Sequence, residues 1–415
     1  MTLHFEEIQF LPSKKLKAFT DHTLIVGKSG SGKSNTAEFI ITQKVSTQKV
    51  IDFVDRGRFE SFLYSLPETN PKLVAKMSEL SEGYLKPRSY SNQIILFAGA
   101  RLKYYNTLPA NIEVMSLDVE QLTLSDLLYL LGTTESAKAL LGSIYYTHGE
   151  LTLFELMKHL EQSKEGEHAQ SRWAILRNIK RWLQSGLFDD DFPKINLTEI
   201  MNDKERITSF SSILLENEDE EGLAYGLLLK QMLEIKRRKL VKTKQCLYVR
   251  EISTFMGQYA TPHMQFARKG ILSILREGRD LGTTLYADTQ RAGDLRPTFR
   301  RQFGKIIQLK SDYADARMLL EIGSVPMAVL AKIPKLNCGE GLIITGWQYY
   351  YPCFFPPAGH LHKKPHFNVL NILSKHYGTK SYSSYNTRIR NNSPQENKIL
   401  PMPEIETGID NLLHG

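Results

Sequence analysis

Eight residues near the start of the chain read Gly27-Lys28-Ser29-Gly30-Ser31-Gly32-Lys33-Ser34 and fit the phosphate-loop spacing G-x-x-x-x-G-K-[ST]. Glycines at 27, 30 and 32 permit backbone conformations that a Cβ forbids, so the loop can wrap a polyphosphate with its N–H groups turned inward. Lys33 then places its ammonium on the β- and γ-phosphates, and the Ser34 hydroxyl is set to ligate Mg2+. Asn35 follows in a helix whose positive end faces the same anion. The implied chemistry is the binding of a nucleoside triphosphate.

A phosphate loop needs acids at the end of a neighbouring parallel strand. One holds the metal, often through water, and an adjacent one activates the attacking water. The usual form is four apolar residues and then Asp-Glu. Here the strand reads Cys246-Leu247-Tyr248-Val249-Arg250-Glu251. Glu251 stands in the place of the catalytic glutamate, and Arg250 stands where the metal aspartate is expected. An arginine repels Mg2+, so three readings are open. Ser34 and waters hold the metal, with Asp55 or Asp288 helping. Or hydrolysis is slow or lost, leaving a nucleotide-dependent assembly protein. Or this is a variant in which the aspartate was replaced.

The elements that must position these residues are legible as pattern. Thr23–Val26 is a buried strand ending at the loop, and the helix after it, Ser34 to about Lys44, carries Ala37, Ile40 and Ile41 on one face. Further strands are predicted at 50–55, 93–98, 112–115, 207–215, 245–249, 283–287 and 305–309, with a late hairpin at 340–345 and 347–354 turning at Gly346. Residues 3–10 alternate like a strand. From about 122 to 204 the character is helical, with Trp173, Leu176, Ile179 and Leu183 expected on one face of a helix over 171–187. The basic residues Arg172, Arg177, Lys180 and Arg181 read first as a solvated face and second as a nucleic-acid contact. Helices are predicted over 220–238 and 262–278, and Lys236-Arg237-Arg238-Lys239 suits the negative end of the first. The expected organisation is an α/β phosphate-loop core in two parts, 1–121 and 205–374, around an α-helical insertion at 122–204. A polar tail at 375–415 reads as disordered.

Composition narrows little. With 415 residues the chain has room for two or three domains. The excess of Lys plus Arg (53) over Asp plus Glu (45), a net +8, is compatible with a polyanionic partner without requiring one. Cys246, Cys338 and Cys353 show neither a C-x-x-C pair nor zinc spacing and read as reduced thiols in a cytoplasmic setting. No run approaches the roughly 18 apolar residues of a membrane span, and the N-terminus lacks the apolar stretch of a signal peptide. The guanine-reading Asn-Lys-x-Asp is missing, which argues against a GTPase switch.

The order of parts then becomes informative. The phosphate loop comes early, a helical block follows the first strands, and an apolar strand ends in Glu251. Next come Arg276-Glu277-Gly278-Arg279-Asp280-Leu281-Gly282, another strand, and Thr289-Gln290. Over roughly residues 20–350 this resembles the HerA/FtsK superfamily of ring-forming, DNA-translocating ATPases. It implies a RecA-like core with a mostly parallel central sheet, and ATP with Mg2+ as cofactors. Carried over, Glu251 is the catalytic base and Gln290 the polar sensor of the γ-phosphate. Arg279 or Arg276 is the arginine finger reaching a neighbouring subunit, with Arg296, Arg300 and Arg301 as further candidates for finger or DNA contact. A finger supplied in trans implies a closed homo-oligomer, usually a hexamer, holding duplex DNA without regard to sequence. Such motors work beside a nuclease, a transfer apparatus or a capsid. Coupling proteins carry membrane helices and HerA-like helicases an N-terminal barrel, so the outline fits a compact packaging-type motor best.

Overall fold

Among the described residues, apolar runs bounded by turn residues form ten strands of one sheet, and the site is built where the strand direction of travel reverses. The computed structural model describes residues 20–45, 47–54, 90–105, 107–110, 112–118, 122–132, 134–149, 151–162, 169–257, 264–318, 325–345, 349–355 and 379–381. The expected strand at 3–10, Asp55, the Gly346 turn and most of the tail lie outside these residues. The strands are β1 (Thr23–Val26), β2 (Lys49–Val54), β3 (Asn92–Phe97), β5 (Ile112–Met115), β6 (Ile207–Ser211), β7 (Gln245–Val249), β8 (Thr283–Thr289), β9 (Lys305–Leu309), β10 (Glu340–Thr345) and β11 (Tyr349–Phe354). Their order across the sheet is β11-β10-β9-β1-β8-β7-β2-β6-β3-β5. Pairing is parallel from β9 to β5, and β10 and β11 add an antiparallel edge.

The chain leaves β1 toward β2, β3 and β5, then returns through β6, β7 and β8 and crosses past β1 to β9. With right-handed crossovers, outward and returning helices cover opposite faces. The buried side chains agree. Ile25, Tyr248 and Tyr286 pack with Phe39 and Ile40 of α1 (Lys33–Thr42). Leu24 and Val26 face the other way, into a core shared with α7 (Glu218–Arg237) and α9 (Met264–Glu277). The crevice at the carboxyl ends of β1, β8 and β7 is therefore the switch point at which such sheets bind ligands.

Between β5 and β6 the described residues form five α-helices: α2 (Leu124–Leu131), α3 (Glu135–His148), α4 (Leu153–Gln162), α5 (Ala169–Ser185) and α6 (Leu197–Asn202). Thr123 and Asp126 close a capping box at the start of α2. In α5 the expected face is rotated. Ile175, Leu176, Ile179 and Trp182 are buried, whereas Trp173 is exposed and Arg172 is buried. The stripe at 172, 175, 176, 179 and 182 keeps helical spacing and places the larger apolar load inside. The α5 cations are mostly satisfied within the chain, Arg181 by Asp219 at 2.9 Å and Lys180 by Glu161 at 3.5 Å.

Helix α7 packs closely along α9, because glycines remove side chains at the crossing. A Cβ on Gly226 would lie 2.5 Å from the Ala267 nitrogen, and one on Gly270 would lie 2.8 Å from Leu229 Cβ. Four acids fill the first turn of α7, and Lys236 and Arg237 its last, as the helix dipole favours. Lys236 donates to the Val241 and Thr243 carbonyls, and Arg237 makes a bidentate pair with Glu277. With Arg238 paired to Glu234 at 2.8 Å, three of the four residues of that basic cluster are used internally. A short helix, α8 (Ser253–Met256), follows β7. Among the described residues, the short helices α10 (Pro297–Arg300), α11 (Tyr313–Arg317) and α12 (Met327–Leu330) flank β9 and precede β10. The polar tail departs from the expectation at its start, where β12 (Thr379–Ser381) pairs antiparallel with β4 (Thr107–Pro109). Among the described residues no helix is long and apolar enough to cross a membrane.

His22, just before β1, is buried and accepts the Leu285 N–H at Nδ1 (2.9 Å). Burial, helped by the charge of Arg279 and opposed by Asp21, lowers its pKa from 6.5 to about 4. The unfolded chain takes up this proton below about pH 6.5 and the folded chain only below about 4. Stability from His22 is therefore complete above the upper value and is lost as pH falls between the two. Denaturant melts of the native chain from pH 7 to 4 should show this as an added slope approaching about 1.4 kcal/mol per pH unit. The slope should be absent in His22→Gln.

Candidate nucleotide site

The phosphate loop hangs from both flanking strands. The Gly27 N–H donates to the Thr289 carbonyl at the end of β8 (3.2 Å), and the Lys28 N–H to the Lys310 carbonyl just beyond β9 (2.9 Å). Within the loop the Ser31 N–H donates to the Lys28 carbonyl at 3.1 Å. Gly30 and Gly32 have φ of +79° and +90°, the region an L side chain disfavours. A Cβ on Gly27 would lie 2.5 Å from Ser31 Oγ, a hydroxyl that is buried and has no partner among the described residues. Gly32 is also the N-cap of α1, with no side chain closing the helix end. Ser34 and Asn35 lie half-buried in the first turn of α1, while Lys28, Ser29 and Gly30 are exposed on the outer side of the loop. The loop therefore fits a polyphosphate: an open anion-binding helix end, a glycine cradle and a lysine beneath it.

Lys33 is largely buried, and its ammonium donates to Glu251 Oε2 (3.1 Å) and lies 3.6 Å from Asp288 Oδ1. Glu251 leaves β7 with φ +45°, a left-handed conformation for a non-glycine residue. Its N–H donates to Asp288 Oδ1 (2.7 Å), and its carboxylate accepts the backbone N–H of Gln290 (3.0 Å) and the Gln290 amide (3.4 Å). Asp288 is buried at the end of β8 and accepts the Tyr248 hydroxyl at 2.6 Å. Burial, and then the charge of Asp288, push that phenol well above 10, so it stays a donor. The phosphate-loop lysine, the glutamate and the glutamine thus converge although they are distant in sequence.

Arg250 does not point into this crevice. It is buried on the α1 face of the sheet, where Nη1 donates to Glu38 Oε1 (2.9 Å), and Nε and Nη2 make a bidentate pair with Asp52 Oδ1 and Oδ2 (3.2 and 2.8 Å). Its guanidinium also lies 4.8 Å from the centroid of the Tyr248 ring. Burial works against its charge, but the carboxylates of Asp52 and Glu38 hold it charged. Burial pushes Asp52 upward against the pull of Arg250. The expectation that this arginine repels the metal loses its basis, since its charge is neutralised in the core.

The expected arginine fingers stand elsewhere. Arg276 ends α9 and Arg279 lies just before β8, both exposed, at the edge of the sheet opposite Lys33. β8 has seven residues, so the separation is about 20 Å along the strand. Arg279 lies 3.7 Å from Asp21. Arg300, expected to reach a finger position or DNA, is instead buried, and its Nη1 donates to the Ala292 and Leu295 carbonyls. Arg296 and Arg301 are exposed. The sequence did not disclose that residues 338–339 brace the loop. The Gly339 N–H donates to the Ser31 carbonyl (3.1 Å), and a Cβ on Gly32 would lie 3.0 Å from the Gly339 nitrogen. Among the described residues no cluster of three His, Cys, Asp or Glu stands ready to hold a metal. The oxygen donors beside the loop are the Ser34 hydroxyl and the carboxylates of Glu251 and Asp288, a set that suits Mg2+, which keeps several waters and shares its ligands with phosphates.

Comparison with known proteins agrees with this geometry. The family model of the helicase HerA central domain matches residues 13–232. No curated protein matches the sequence. The fold is similar to VirB4 of Thermoanaerobacter pseudethanolicus, with a TM-score of 0.55 and 16% identity over 80% of this chain and 89% of that one. It is also similar to the bacterial conjugative coupling protein TrwBdeltaN70 (TM-score 0.52, 10% identity, 87% of this chain and 91% of that one). The plasmid coupling protein TrwB in complex with ADP and Mg2+ gives 0.51 and 12%, over 87% and 92%. At such identities the likeness establishes the fold, a RecA-like P-loop core.

Arg250→Asp removes the guanidinium and buries a third acid beside Glu38 and Asp52. It should destabilise the chain by about 3–5 kcal/mol, read from urea denaturation. Adding Glu38→Gln and Asp52→Asn should recover part of the loss. Faster ATP turnover by Arg250→Asp alone would instead show that the arginine obstructs the metal.

Proposed function

This chain belongs to the family of the helicase HerA central domain, and from that premise we propose that it is an ATPase motor that moves DNA through a ring of its own copies. The carrying observation is the convergence of Lys33, Glu251 and Gln290 beneath a loop whose backbone fits a polyphosphate. Lys33 and the first turn of α1 bind the phosphates of ATP, and Ser34 would hold Mg2+, whose charge would supply stabilisation of the phosphate oxygens. Glu251 accepts the proton of the attacking water. Gln290, hydrogen-bonded to Glu251, senses the γ-phosphate and passes its state to the loop after β8.

Arg276 and Arg279, on the sheet edge away from their own phosphate loop, face a neighbouring subunit, where one of them serves as the finger. A head-to-tail contact of this kind closes into a ring, a hexamer in this reading. Duplex DNA is held in the ring through its phosphates, without base readout. The motor core comprises residues 1–121 and 205–374, with 122–204 as an insertion. A nuclease, a transfer apparatus or a capsid would be the partner in processing, transfer or packaging. The other reading, an assembly protein that binds nucleotide without turnover, drew on Arg250 as a repellent of metal. The pairing of Arg250 with Glu38 and Asp52 favours the motor.

Purified protein should hydrolyse ATP, duplex DNA should stimulate it, and added salt should weaken the stimulation. Glu251→Gln should lower the rate about 10²–10⁴-fold. The Arg276→Ala/Arg279→Ala double variant should also be inactive alone. Mixed with Glu251→Gln it should regain turnover, because some interfaces then combine an intact base with an intact finger. An absence of recovery would place the finger elsewhere.

A further inference from the structure

Asp288 stands one strand inward from Arg250, at the same height. In the parallel pairing of β7 with β8, Val249 lies opposite Ala287, so the next residues, Arg250 and Asp288, end neighbouring strands together. β8 lies directly beside the phosphate-loop strand, with Ile25 opposite Asp288. The side chain is only 4% exposed, and its Oδ1 lies 3.6 Å from the phosphate-loop lysine. Two donors fix its orientation: the Tyr248 hydroxyl on Oδ2 (2.6 Å) and the Glu251 N–H on Oδ1 (2.7 Å). An ionised carboxylate has about four lone-pair sites, so acceptor capacity remains on the side of Lys33.

The core explains why the acid is here. Glu38 and Asp52 already occupy the space beneath residue 250 and are buried. A third carboxylate at that position would add an unpaired charge to the core, whereas an arginine pairs with both acids present. β8 is the strand between β7 and the phosphate-loop strand, and Asp288 at its end turns an acid toward Lys33. We propose that Asp288 supplies the metal-side carboxylate of the nucleotide site, holding Mg2+ through its water shell, in place of the strand-end position that Arg250 fills. Tyr248 is its positioning residue. This rests on the nucleotide reading of the loop, and on the chain's own residues fitting that metal.

The test is binding of a fluorescent, non-hydrolysable ATP analogue to the full chain, titrated in EDTA and again with Mg2+. The native chain should bind in EDTA and gain affinity with Mg2+. Asp288→Asn should keep its EDTA affinity and lose about 10–100-fold of the Mg2+-dependent gain. Glu251→Gln should keep the gain, and Tyr248→Phe should lower it partially with an unchanged melting temperature. An undiminished gain in Asp288→Asn overturns the proposal. So does loss of its binding in EDTA by a folded protein, which would assign the carboxylate to holding Lys33. If Asp288→Asn does not fold, Tyr248→Phe decides, and an unchanged Mg2+ dependence there is contrary. A native chain that binds no analogue in either condition overturns the nucleotide reading itself, and the proposal with it.

Discussion

The guanidinium of Arg250, buried between Glu38 and Asp52, is the constraint on which the site depends. It joins three elements: α1, which begins at the phosphate loop, β2, and the end of β7, from which Glu251 departs. Taking charges out of water costs several kcal/mol per ion, and pairing in the core offsets this only when the geometry is good. Such a cluster is therefore a weak source of net stability. It restricts what can stand at position 250 far more strongly, because removing one member leaves charge stranded. The arginine fixes the distance between the helix that presents Lys33 and the strand that presents Glu251.

Glu251 responds to that fixed strand end by turning out of the sheet. A left-handed non-glycine residue costs on the order of 1–3 kcal/mol and persists where its surroundings hold it. Here its N–H is held by Asp288, and its carboxylate by Lys33 and both nitrogens of Gln290. The turn brings the carboxylate to the phosphate side of the crevice while Arg250 stays in the core. Adjacent residues of one strand thus serve opposite purposes, one structural and one chemical.

Local pattern carried the strands well. Gln245–Val249 and Lys305–Leu309 are short apolar runs flanked by polar residues, and both form strands with the expected bounds. The phosphate loop was legible because its chemistry needs fixed types at fixed spacing. The side-chain path of Arg250 was not, since its partners lie 212 and 198 residues away in sequence. In α5 the expected face ran through Trp173 and Leu183, and only the packed neighbours turn it toward Trp182. The bracing of Ser31 by Gly339 is a contact between backbones and leaves no trace in residue type beyond a glycine with φ +84°. The burial of Arg300 was hidden for a similar reason, because its acceptors are main-chain carbonyls.

The most direct measurement is an experimental structure of the full chain bound to a non-hydrolysable ATP analogue, Mg2+ and duplex DNA. Arg250 should remain paired with Glu38 and Asp52, Lys33 should move onto the β- and γ-phosphates, and Glu251 should face the γ-phosphate. An Arg250 side chain swung out of the core onto the nucleotide, or a phosphate loop without nucleotide at saturating concentration, would contradict the central claim that this arginine is a core residue supporting a working nucleotide site.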